Sequence, residues 1–192
     1  MRAFAVVGHL APTGNSFTLD DLPGSAGRMD LLCRCVSAAL TLSHGIRRDA
    51  EIHLLLLGPP SPPKEVLIRG DSVRSLSPDE RSTAALVRKA LALPVGESFR
   101  ESTPGILVRR GGLAGLLAGG RYAVLSEEGE DVRAEKDLPP GFLLSDHLDF
   151  TEGEEALLAG LPRISVGPVV LQADQAITVL QNALDRREAA WS

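Results

Sequence analysis

Short apolar runs alternating with amphipathic stretches predict an α/β fold, a mostly parallel sheet flanked by helices, in one domain over residues 1–192. Three observations carry this expectation. Phe142–Leu144 and Ile164–Val166 are strand-like runs that stop abruptly, at Ser145-Asp146-His147 and at Gly167-Pro168. An amphipathic stretch from about Ala173 to Arg187 follows them. Ile52 to Leu57 is apolar apart from His53, as a central strand buried on both faces would be. In open α/β sheets ligands sit at the carboxyl ends of such strands, so Gly141 to Asn182 reads as a cofactor crevice.

The remaining elements follow in order. Residues 2–8 form a first strand, and the Gly-, Pro- and Asp-rich stretch 9–28 a long loop, a length that usually signals function or disorder. The spacing of Leu32, Val36 and Ala39 predicts a helix over Met29–Leu42. GPPSPP then breaks the chain after the central strand. Two strand-like pieces, Val66–Ile68 and Val73–Leu76, surround a Gly70-Asp71 turn. Ser77, Pro78 and Glu80 resemble a capping box for a helix reaching about Ala92. Residues 94–104 read as loop, Ile106–Val108 as strand, Leu113–Leu117 as a short helix, Tyr122–Leu125 as strand, and 126–140 as an acidic surface loop.

The composition is that of an ordinary globular chain, 44% hydrophobic and 23% charged, with no apolar window long enough to span a membrane. Cys33 and Cys35 lie two apart in a helical pattern and point different ways, which suits neither a disulfide nor a metal pair; a cytoplasmic protein is expected. The net charge of −5 argues against a dedicated nucleic-acid binder unless basic residues gather locally. Arg28 and Arg34, Arg47-Arg48 and Arg109-Arg110 would make a phosphate-binding patch if they converge.

No glycine-rich nucleotide fingerprint, metal-spaced histidine pair or nucleophile elbow is present. His147 suits either loop structure or acid–base work beside Asp146. Asp30 suits either a first-turn carboxylate on the helix dipole or a proton acceptor held by Arg28.

The segments LDDLPGSAGRMDLLCRCVSAALTLSHGIRRD, GPPSPPK, SPDER, STPGI, GED, DH and RISVGP, in this order, strongly resemble the tRNA pseudouridine N1-methyltransferase family of the SPOUT class, known from archaea. The resemblance spans nearly the whole chain and is most specific from Asp20 to Asp49. It implies a SPOUT-type sheet with a C-terminal trefoil knot, a feature too rare for periodicity to suggest. It implies S-adenosyl-L-methionine as methyl donor, tRNA as substrate at position 54 of the T-arm, and a homodimer, with no metal and no membrane. The implied donor residues are Leu143, Leu144 and Ser145 in a first loop, Val166 and Gly167 in a second, and Leu171, Ala176 and Ile177 in a third. Asp30 and Arg28 become the catalytic candidates, and Arg47, Arg48 and Arg110 the RNA-binding ones.

The chain departs from the archaeal pattern at Ser145, where glycine is usual, at Gln172, Gln175 and Gln181, where histidines are common, and at Ala176, often cysteine. These departures suggest a bacterial-type member with the same or a shifted target. Two alternatives accompany the tRNA reading: a pseudouridine methyltransferase acting on another RNA such as rRNA, or a non-catalytic RNA-binding assembly factor with the same fold.

Overall fold

In a computed structural model the chain is described over residues 1–189. The elements run β1 (Arg2–Gly8), α1 (Met29–Leu40), β2 (Thr41–Leu42), β3 (Gly45–Ile46), β4 (Ala50–Leu56), β5 (Lys64–Arg69), α2 (Glu80–Leu91) and β6 (Arg100–Thr103). Then come β7 (Ile106–Arg110), α3 (Leu113–Ala118), β8 (Tyr122–Asp131), β9 (Gly141–Ser145), α4 (Glu152–Leu158), β10 (Arg163–Ser165) and α5 (Ala173–Glu188). Eight strands form one sheet in the order β10-β8-β9-β1-β4-β5-β7-β6, while β2 and β3 make a separate two-residue hairpin.

The half from β10 to β4 is parallel, and the half from β4 to β6 antiparallel. Connection length explains the split. The chain returns from β1 to β4 through α1, a crossover that parallel pairing needs, whereas the short proline-rich link from β4 to β5 can only reverse it. Helices α1, α2 and α5 cover one face over a core that includes Phe4, Phe142, Leu32 and Ile177; α3 and α4 cover the other over Ala5, Leu55 and Leu143.

Several expectations shift. The cap of α2 is Asp79, whose carboxylate accepts from the Ser82 amide at 2.8 Å, two residues beyond Ser77. An ionised acceptor complements the helix dipole better than a hydroxyl. Val73–Leu76 is no strand: Val73 is buried and its amide donates back to Arg69 at 2.9 Å, closing a turn. The expected loop 94–104 contains β6, and β8 runs six residues past Leu125. Pairing of β10 jumps from Val124 to Glu130, so the residues between bulge from the ladder. Helix α4 was not expected, although Thr151 and Glu154 form the capping box that a T-x-x-E sequence signals.

Candidate active site

Strands β9 and β10 flank β8 and end at Ser145 and Ser165, and their carboxyl ends frame a cavity of about 600 Å³ with an annex of about 110 Å³. The main chamber is bounded by Arg28, Ser145, His147, Arg163 and Leu171; the annex by Leu144, Val166, Gly167 and Ala176. The bulged part of β8, Leu125 to Glu127, walls both. Six of the eight expected donor residues therefore meet here. Leu143 and Ile177 do not reach the wall: both side chains are fully buried, in the two cores behind it.

The turn before α1 presents Arg28 to this chamber. Gly27 has φ 55°, and a Cβ there would lie 2.0 Å from the Leu10 carbonyl oxygen, so the close approach requires glycine. Arg28 itself is left-handed at φ 64°, a conformation that costs an L-residue about 1 kcal/mol or more and collects at functional sites. Its guanidinium grips Asp30 with two bonds, Nε to Oδ1 at 3.0 Å and Nη2 to Oδ2 at 3.2 Å. Arg34 donates to the same carboxylate at 2.9 Å. Burial would raise the pKa of Asp30, but the two guanidiniums overcome it and hold the carboxyl below its usual range. Asp30 is thus a poor proton acceptor and a good orienter of Arg28.

The loop expected to be the first donor loop is fixed by a histidine that sequence reasoning left without a role. His9 lies just past β1. Its Nδ1 faces Asp146 Oδ1 at 3.0 Å, its Nε2 faces Glu154 Oε2 at 2.9 Å, and its amide donates to Asp146 Oδ2 at 3.0 Å. A neutral ring would turn a lone pair toward one carboxylate, so the geometry favours imidazolium. Hydrogen bonding to Asp146 outweighs burial and lifts His9 to about 9. Asp146 also accepts from the Leu148 amide, and the Ser145 hydroxyl donates to the Leu148 carbonyl. His147 stands on the rim with Nδ1 3.4 Å from Asp146. The only prior signal for His9 was its place at the end of a parallel strand.

The other arginines do not join this cluster. Arg47 makes a two-pronged bond to Asp185, at 2.8 and 2.9 Å, and Arg48 donates to the Gly70 and Val73 carbonyls. Arg110 is exposed at the end of β7, away from the cavity wall. Of the histidine replacements, Gln172 lines the chamber, Gln175 closes a capping box with it, and Gln181 is buried between Arg2 and the Ala39 carbonyl.

A family model described as "Putative SAM-dependent RNA methyltransferase" matches residues 1–189. The chain belongs to this family. It is 49% identical over 193 residues to a tRNA (pseudouridine(54)-N(1))-methyltransferase of Methanospirillum hungatei, covering all of both chains. It is 51% identical to the protein of that name from Methanosarcina acetivorans, over 98% of this chain and 93% of the other. Both relatives are archaeal, and the identity extends over essentially the full chain. The fold is also that of Archaeoglobus fulgidus Nep1, solved with S-adenosylhomocysteine bound: TM-score 0.66 and 14% identity, over 98% of this chain and 99% of that one.

The cavity fits the donor that this family uses. Its volume lies in the usual range for small-molecule sites, about 300–1,000 Å³. Glu127 and Asp149 supply negative charge for a sulfonium and an ammonium, while strand ends supply backbone donors and acceptors. A Cβ added at Gly167 would meet no atom within 4 Å, so the annex is open at its floor.

Proposed function

We propose that this protein is an S-adenosyl-L-methionine-dependent methyltransferase acting on N1 of the pseudouridine at position 54 of tRNA. The observation that carries the reading is the strained Arg28, held by Asp30 over a cavity framed by the expected donor loops. The relatives' names supply the substrate. When bound, the donor supplies an electrophilic methyl on a positively charged sulphur.

The protein's own residues do the positioning. Leu144, Ser145, Val166, Gly167, Leu171 and Ala176 shape the donor chamber, with Leu143 and Ile177 supporting it from the core. Arg28 stabilises negative charge developing at the base as N1 loses its proton to solvent and takes the methyl, the donor leaving as the neutral thioether, and Asp30 keeps the guanidinium in place. His9 locks the first loop through Asp146. An in-line methyl displacement needs little else from the protein beyond near-attack contact. The knot belongs to this reading through the family resemblance.

A homodimer belongs to it as well. Val169, Val170 and Val179 are 67%, 72% and 40% exposed beside an apolar groove of about 510 Å³ between the second donor loop and α5. A second copy covering that face would complete the site's outer wall. Action in the cytoplasm accords with an RNA substrate and two buried, unpaired thiols.

Incubation of the purified protein with donor and a T-arm hairpin, followed by nucleoside mass spectrometry, tests the reading. Methylation should appear when pseudouridine occupies position 54 and vanish when uridine replaces it, because uridine presents carbon in place of N1. Equal methylation of both, or of neither, refutes it.

A further inference from the structure

Lys64 opens β5, Arg110 closes β7, and the two are directly paired across the antiparallel ladder. Their register places them on the same side as Val66–Val108 and Ile68–Ile106, the face covered by α1 and α2. Cross-strand partners sit about 5 Å apart at Cβ, and like charges there are destabilising. Neither side chain forms an ion pair or hydrogen bond with any other described residue. Other cations differ: Arg109, adjacent in sequence, is paired to Glu65 at 2.6 Å, while at the opposite end of the sheet Arg47 is paired to Asp185 and Arg48 to two carbonyls. Burial and the charge of Arg110 both press the Lys64 ammonium below its ordinary range.

A local rule is therefore broken with nothing among the described residues to offset it, which is the mark of a site built for something else. The register puts the pair at the end of the sheet where the carboxyl ends of β9 and β10 frame the cavity. Counting strands from β9 through β1 and β4, it lies roughly 14 Å away at β5 and about 19 Å away at β7. We propose that Lys64 and Arg110 form a phosphate clamp that receives the RNA backbone a few nucleotides from the base presented to Arg28. This rests on the RNA methyltransferase reading above and adds to it a residue, Lys64, and a direction for the strand. A chain of net charge −5 needs such a discharging spot along the RNA path.

The test compares the wild type with the double variant Lys64→Gln, Arg110→Gln, titrating a pseudouridine-containing T-arm hairpin at several salt concentrations. The variant should bind about tenfold more weakly, with a log–log salt slope shallower by about 1 to 2. Its melting temperature should be unchanged or higher, since a repulsion is removed, and its affinity for S-adenosylmethionine unchanged. Lys64→Arg, which keeps the charge, should bind like the wild type. Wild-type affinity and salt slope in the double variant overturn the clamp while leaving the methyltransferase reading intact. A wild type that binds no hairpin overturns that reading itself.

Discussion

Replacing His9 by glutamine should flatten the alkaline limb of this protein's stability curve. The imidazole lies between two carboxylates and is lifted from 6.5 to about 9. The folded state therefore holds this proton more tightly than the unfolded chain does. Its contribution is fully present below pH 6.5 and is lost as pH rises through about 9. A displacement of that size corresponds to roughly 3 kcal/mol, a large part of a domain's usual 5–15 kcal/mol. Asp146 and Glu154, held below their ordinary ranges by the same contacts, lose their share as pH falls, so the optimum lies between the carboxylate range and pH 6.5. His53, buried against Glu65 and also raised, adds a pH dependence of its own, so the measurement is a difference. Urea unfolding of wild type and His9→Gln at pH 6, 7.5 and 9 should show the gap between them closing by about 3 kcal/mol. A gap independent of pH would refute the imidazolium between Asp146 and Glu154.

Arg28→Gly should leave stability within about 1 kcal/mol, since glycine relieves the left-handed strain, yet lower turnover by roughly 10²–10³ in a single-turnover methylation assay. Ala176→Leu should fill the annex and weaken donor binding at least about tenfold by calorimetry, at a packing cost of about 1–3 kcal/mol. Arg47→Ala should lower stability by about 1 kcal/mol through loss of the Asp185 pair, while hairpin affinity stays at the wild-type value. Weaker RNA binding in that variant would return Arg47 to the RNA surface.

Strands β1, β4 and β9 and helices α1 and α5 were legible because each carries its own apolar period or an abrupt stop. The antiparallel edge was not. The β6 sequence Arg100–Thr103 is polar and exposed, and only pairing with β7 makes it a strand. The second half of β8 has no apolar pattern and holds its place by pairing with β10.

The site divides in the same way. The sequence alone marked a crevice at two strand ends, since each is a run that stops at a turn; resemblance named three donor loops there and made Arg28 and Asp30 the catalytic candidates. Only the tertiary structure decided which basic side chains are spent within the protein, Arg47 on Asp185 and Arg48 on carbonyls, and that Lys64 and Arg110 have no ion-pair or hydrogen-bond partner among the described residues. It alone brought His9 to Asp146 and Glu154, 137 and 145 residues away. Apolar period is a local property that neighbours along the chain reveal. Charge pairing depends on distance in space, and that is set only when the sheet has been assembled.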